Sequence, residues 1–144
     1  MRKLLIPAAA LLFLAADSPQ AIVKYRETNM KAMGAHMSAM SLVVKSEVSS
    51  RADLKAHAEA VHAISRTLPA LFPASTAPAK VKTDAKAEVW KNPAAFKKAA
   101  AGLERESAKL ADLAKKNDGE AFDQQYRVVA ETCNDCHEQF RTEH

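Results

Sequence analysis

The chain has 144 residues, of which 48% are hydrophobic, with only three glycines and two cysteines. This length accommodates one domain, and the scarcity of glycine favours helices. The formal net charge is +4 at pH 7, and the basic residues do not gather in the clusters that a nucleic-acid-binding face requires. The composition therefore argues against a nucleic-acid-binding protein and predicts a single helical domain.

The N-terminal segment predicts an export signal. A basic start precedes an apolar run over residues 4–16, which is too short for a membrane span of ~20 residues. Cleavage after Ala16 or Ala21 suits this segment, so residues 1–21 are assigned to a signal peptide and residues 22–144 to the mature domain. The alternative is a retained N-terminal anchor. After cleavage no membrane association is expected.

Apolar residues recur at helical spacing in four segments. The first helix is expected from about Ala21 to Lys45, and the second from near Ser50, as its N-cap, to a stop at Pro69. The third starts at Asn92-Pro93, and Asn117-Asp118-Gly119 ends it and opens the fourth. No segment has the alternation of a strand. The sequence thus predicts an all-α, antiparallel up-down-up-down four-helix bundle.

The fourth helix contains the segment Cys133-Asn134-Asp135-Cys136-His137. Two thiols at this spacing followed by histidine form the attachment signature of c-type haem, with His137 as the axial iron ligand. Three alternatives are weaker. A plain disulfide beside a surface histidine leaves the pattern unexplained, a zinc site lacks further cysteines, and a thioredoxin-like motif needs a βαβ context.

Arg26 interrupts the apolar stripe of the first helix, where a hydrophobic residue is expected. A buried guanidinium needs anionic partners, and haem propionates are suitable; the alternative is a packed stem whose head group reaches solvent. Met30, one turn further, is either a sixth iron ligand or core filling. The rest of the stripe is assigned to the core: Val23, Met33, Met37, Met40 and Val44.

The sequence resembles cytochrome c-prime and its low-spin relatives, the class II c-type cytochromes, whose haem motif also lies near the C-terminus. The resemblance extends over essentially the whole mature chain. Four segments show the resemblance: Lys24-Tyr25-Arg26-Glu27 with Met30 and Met33, Leu68-Pro69-Ala70-Leu71-Phe72-Pro73, Asp84 with Glu88-Val89-Trp90, and Cys133 to His137 with Phe140-Arg141.

This resemblance implies a four-helix bundle, one covalent haem c, a periplasmic location and a homodimer. Cys133 and Cys136 would hold the haem, and His137 would bind the iron. The residues expected to line the haem are Arg26, Glu27, Phe72 and Asp84. Met30 occupies the distal position that decides whether the sixth coordination site is filled.

Two functions follow. The main expectation is an electron carrier that exchanges electrons with redox partner proteins and in which Met30 ligation favours fast transfer. The alternative is a five-coordinate haem that binds nitric oxide or carbon monoxide in an apolar distal pocket. No enzymatic activity is expected, since the sequence offers neither an acid–base pair for the haem face nor a distal His–Arg arrangement.

Overall fold

The computed structural model describes residues 17–142 and consists of helices joined by turns. Within this range there is no β-strand, and the only ladder contact is an isolated bridge between Ala85 and Arg141. The all-α prediction is confirmed. The helices are α1 (Pro19–Val44), α2 (Leu54–Ser65), the single-turn α3 (Glu88–Lys91), α4 (Pro93–Lys116) and α5 (Gly119–Phe140).

Three of the four long helices begin at a residue whose side-chain oxygen caps the first turn. Ser18, Asn92 and Asp118 each accept a hydrogen bond from the backbone N–H three residues further on, at 3.2, 3.3 and 3.2 Å. At the other end of α4, Asn117 has φ 55°, the left-handed conformation that commonly ends helices. The predicted boundaries of α4 and α5 are therefore set by local sequence.

The start of the second helix was predicted wrongly. α2 begins at Leu54, after the 3₁₀ turn Arg51–Asp53, and Ser50 makes no capping hydrogen bond. The Arg51 side chain instead donates to the Gly119 carbonyl at 3.0 Å and to the Asp123 carboxylate at 2.8 Å. The helix is thus 12 residues long, because the chain before it is held against the start of α5.

The hydrophobic core lies at the end of the bundle where α1 ends. Here α4 packs on both α2 and α5, and α1 packs on α2, whereas α1 and α5 have few close backbone approaches. The side chains with less than 2% exposure include Met40, Val61, Leu110, Phe122 and Val129. An open cavity lies between α1 and α5.

The long connection between α2 and α4 forms part of the wall of this cavity. It is attached to the end of α5 by backbone hydrogen bonds from Lys86 N to the Phe140 carbonyl and from Thr142 N to the Asp84 carbonyl, both 2.8 Å.

Between residues 17 and 142, no helix is long and apolar enough to cross a membrane. The proposed signal segment lies almost entirely outside the described residues.

Candidate haem site

A hydrogen bond links the first and last helices. The Tyr126 hydroxyl donates to the Met37 carbonyl at 3.1 Å. The two helices run antiparallel and each rises ~1.5 Å per residue, so Cys133 and Met30, each seven residues from this bond, lie about two turns from it in the same direction. Both line the space between the helices.

A cavity of about 650 Å³ lies between α1 and α5, within the range of ~300–1,000 Å³ typical of ligand and cofactor sites. Its other walls come from α4 and the long connection. All eight residues that the sequence indicated for the haem line this cavity: Arg26, Glu27, Met30, Phe72, Asp84, Cys133, Cys136 and His137. The structure therefore brings together residues that are up to 111 positions apart in the chain (137 − 26).

The two cysteines lie three positions apart on one face of α5, and both are free thiols of intermediate exposure. Burial, together with the neighbouring Cys136, raises the pKa of the Cys133 thiol to about 11. Burial also raises the pKa of Cys136. Before the haem is attached, both side chains are therefore neutral thiols at neutral pH, and both line the cavity.

His137 follows on the same wall. Burial and the positive charge of Arg141 lower the pKa of its imidazole, so the neutral form is favoured at neutral pH. The neutral imidazole is the form that binds a metal. Two thiols and one neutral imidazole, a group capable of binding a metal, thus line the cavity from consecutive turns of one helix.

Arg26 is 4% exposed, and its guanidinium donates to three groups of the long connection. One terminal nitrogen donates to the Leu71 carbonyl and the Thr76 hydroxyl, both at 3.0 Å, and the other donates to the Thr83 hydroxyl at 2.6 Å. The sequence indicated that Arg26 faces inward but not these partners. These bonds use three of its five N–H donors, and the residue also lines the cavity.

The charge of Arg26 is balanced by two nearby carboxylates. Burial lowers the pKa of the guanidinium, while Glu27 and Asp84 oppose that shift. Both acidic side chains are half-buried on the cavity wall. This end of the cavity is therefore polar and carries both signs of charge.

Aromatic rings form the wall beneath the long connection. Phe72 and Phe96 meet edge to face with centroids 4.6 Å apart, and Phe96 and Phe140 meet likewise at 5.4 Å. The Trp90 indole N–H donates to the Phe72 and Pro73 carbonyls, both at 3.2 Å. Phe72 is thus held in place through both its ring and its backbone.

Met30 is half-buried and lines the cavity. Met33 also lines the cavity while packing into the core, and so does Met37, which the sequence assigned to the core alone. Sequence reasoning gave no role in the site to Thr76, Thr83 or Tyr126. The two threonines lie in a segment without periodicity, so no sequence signal identifies them.

The residues present fit a covalently attached haem. The paired thiols and the imidazole lie along one wall, the interior is mostly apolar, and the arginine lies with its carboxylates at the polar end. A helical bundle with this site is the architecture of a monohaem c-type cytochrome.

Comparison with known proteins identifies the family. The family model described as Cytochrome C' matches residues 21–141. A cytochrome c' of Pararhodospirillum photometricum is 40% identical over 86% of this chain and 98% of its own length. The cytochrome c' of Rhodospirillum rubrum is 34% identical over 89% of this chain and 86% of its own. The chain belongs to the cytochrome c' family and carries one covalent haem c.

Solved structures agree with this assignment. The fold matches a nitric oxide complex of a cytochrome c prime variant from Alcaligenes xylosoxidans with a TM-score of 0.79, 28% identity and coverage of 88% of this chain and 98% of that one. A ferrous variant of that protein with bound NO matches with a TM-score of 0.81, 26% identity and coverage of 90% and 99%.

Proposed function

We propose that the protein binds nitric oxide or carbon monoxide at an open distal face of its haem iron. This proposal rests on one observation: nearly the whole fold matches that of a cytochrome c prime solved with nitric oxide. The apolar cavity on the Met30 side adds a physical reason, because such a space admits small neutral molecules and disfavours anions. The comparisons thus favour the alternative expectation over the electron carrier.

The attachment and iron-binding roles fall to α5. We assign the two thioether bonds to Cys133 and Cys136, and the axial bond to the neutral imidazole of His137. When bound, the haem supplies an iron that takes up a diatomic ligand. The protein holds that iron on α5 and keeps the opposite side apolar with Met30, Met33 and Phe72.

The polar end of the cavity suits the haem propionates. Arg26 gives three of its five N–H donors to the long connection, and Arg141, which follows α5, also lines the cavity. Charge-assisted hydrogen bonds from guanidinium to carboxylate are stronger than those between neutral groups. We therefore assign Arg26 both a structural role, through the connection, and a propionate-binding role.

The electron carrier is the second candidate, and one observation favours it. Met30 lines the cavity, and its thioether would be a sixth iron ligand if it reached the metal. Replacing Met30 with leucine decides between the two, with Met40→Leu as the control because Met40 is fully buried outside the cavity wall.

The gas-binding proposal expects a high-spin ferrous spectrum in wild type and in both variants, with carbon monoxide affinity changed only in Met30→Leu. If wild type is low-spin and Met30→Leu becomes high-spin, Met30 is the sixth ligand and the electron carrier is correct.

We also propose that the protein is exported to the periplasm and acts there without catalytic turnover. The match to the family model starts at residue 21, just after the apolar N-terminal run, which supports removal of that run. We further propose a homodimer that packs through α1 and α2. Two exposed apolar side chains of α1 support it, since Tyr25 is 61% and Leu42 44% exposed. Light scattering of the wild type and of Leu42→Glu would test it, with a monomeric wild type contradicting the proposal.

A further inference from the structure

Two histidines that belong to different helices meet between α1 and α2. The Nδ1 atom of His36, on α1, lies 2.9 Å from the Nδ1 atom of His57, on α2. The ring centroids are 5.2 Å apart and the ring planes are tilted by 54°. Among residues 17–142, neither ring has another hydrogen-bond or ion-pair partner. Neither residue lines the haem cavity, so the haem site does not account for this pair.

The packing of the two helices holds both histidines in place. Each lies three residues after one buried core residue of its own helix and four residues before another: Met33 and Met40 for His36, and Leu54 and Val61 for His57. Residues at these spacings are neighbours on a helix surface, so both imidazoles lie at the edge of the packed contact between α1 and α2. Both are half-buried. Ligands carried by packed helices are positioned more precisely than ligands on loops.

The bond between the two rings depends on a single shared proton. A neutral imidazole carries a proton on one ring nitrogen and a lone pair on the other, so a bond between two Nδ1 atoms requires the rings to be in different tautomers. When both rings carry the proton on Nε2, both Nδ1 lone pairs are free to bind a cation. One proton then moves from Nδ1 to Nε2 of the same ring, and the pair loses no proton overall. The neutral imidazole is the form that binds a metal.

The separation of the two nitrogens indicates which metals fit. An imidazole nitrogen binds a transition metal at ~2.0–2.1 Å, so two such bonds to nitrogens 2.9 Å apart enclose an angle of ~90°. This is the angle between adjacent ligands in the square-planar sites of copper(II) and nickel(II). A tetrahedral zinc site, with an angle of ~109°, needs nitrogens ~3.3 Å apart. In the described part of the chain no set of three or more His, Cys, Asp or Glu residues is placed to hold a metal, so water fills the other positions.

We infer that His36 and His57 form a binding site for copper(II) or nickel(II) that links α1 to α2. Both ligands belong to one chain and are partly exposed, so the metal reaches them from solvent and no second copy is needed. Copper(II) binds more tightly than nickel(II), as the general order of affinities for divalent metals requires. The site does not depend on gas binding at the iron, and the two proposals can fail separately.

Titration with copper(II) tests this site. The ferric holoprotein is used so that the haem iron does not donate an electron to the copper. Calorimetry gives the affinity, and electron paramagnetic resonance reports the nitrogen ligands. We expect one copper ion per chain, bound by two imidazole nitrogens. A wild type that binds no copper, or binds it through a single nitrogen, would overturn the inference.

Matched variants assign the two ligands. His36→Gln and His57→Gln each remove one imidazole but keep a polar side chain, and each should weaken copper binding at least about tenfold. His62→Gln is the control, because His62 also lies on α2 but contacts Ser107 instead, and it should keep the wild-type affinity. Equal affinity in all three variants would contradict the assignment.

Crystals of the wild-type holoprotein test the site without any substitution. After a soak in copper(II), we expect anomalous scattering from copper at ~2 Å from the Nδ1 atoms of both His36 and His57. Copper found only at other positions, or at none, would overturn the inference even if the glutamine variants fail to fold.

Discussion

The guanidinium carbon of Arg26 lies 4.4 Å from the centroid of the Phe72 ring, and the same guanidinium donates to the carbonyl of Leu71, the residue before Phe72. One side chain of α1 therefore positions both the ring and the backbone of a segment that forms a wall of the haem cavity. Stacking of a cation on an aromatic face contributes ~0.5–2 kcal/mol, and the hydrogen bonds add to this.

Removing this contact is expected to destabilise the fold and loosen the cavity wall. In Arg26→Leu, the Leu71 carbonyl and the hydroxyls of Thr76 and Thr83 lose their donor, and we expect a loss of about 2–4 kcal/mol in the free energy of unfolding. Chemical denaturation of the holoprotein measures it. Arg66→Leu, at an exposed position, is the control. Equal stability of the two variants would contradict this role of Arg26.

Glu106 gives the protein an acid-sensitive contact between α4 and α5. Gln125 donates to its carboxylate and to its backbone carbonyl, both at 3.0 Å, and Lys109 donates at 3.0 Å. These bonds lower the pKa of Glu106 from 4.5 to about 2. A carboxylate with a lowered pKa stabilises the fold above its unfolded-state pKa.

The stabilisation from Glu106 is therefore complete above about pH 4.5 and is lost as the pH falls toward 2. We expect Glu106→Gln to be less stable than wild type at pH 7 and to lose less stability on acidification. Urea titrations at pH 7, 4 and 3 test this, with Glu104→Gln, exposed on the same helix, as the control. Parallel pH profiles for wild type and Glu106→Gln would contradict the prediction.

His137 is predicted to bind the iron but not to attach the haem. His137→Ala should keep the haem covalently bound in a denaturing gel, because both thiols remain, while its absorption spectrum loses the signature of axial histidine. His62→Ala is the control, because His62 lies outside the cavity and contacts Ser107 at 3.3 Å. Retention of histidine ligation in His137→Ala would exclude this assignment.

The N-terminus of the mature protein is predicted to be Asp17. Ser18 caps α1 through its bond to the Ala21 N–H, and α1 starts at Pro19. Cleavage after Ala21 would remove this cap, at a cost of about 1 kcal/mol, whereas cleavage after Ala16 preserves it. Intact mass spectrometry of the exported holoprotein distinguishes the two, and a mature chain starting at Ile22 would contradict the prediction.

The sequence predicted the helices because their signals are local. Apolar periodicity, the caps at Asn92 and Asp118, and the spacing of Cys133, Cys136 and His137 all involve residues within a few turns of one another. Arg26 was recognisable as unusual by the same means, since it breaks the stripe of α1. Only its burial was predictable, not its partners.

What the sequence did not predict depends on contacts distant along the chain. Thr76 and Thr83 reach Arg26 from a connection with no repeating pattern, and Tyr126 finds the Met37 carbonyl across the bundle. The start of α2 was predicted too early for a similar reason. The Arg51 side chain binds Gly119 and Asp123 of α5, and residues 51–53 form a 3₁₀ turn before α2 begins. In each case a polar side chain forms a hydrogen bond with a group on another element, and local periodicity carries no information about such a pairing.

The central claim is that the haem iron has an open distal site that takes up a gas. The most direct test is the absorption spectrum of the dithionite-reduced wild-type holoprotein before and after carbon monoxide is added. We predict a broad high-spin spectrum that shifts when the gas binds. A sharp low-spin spectrum that carbon monoxide leaves unchanged would contradict the claim and indicate that Met30 occupies the sixth coordination position.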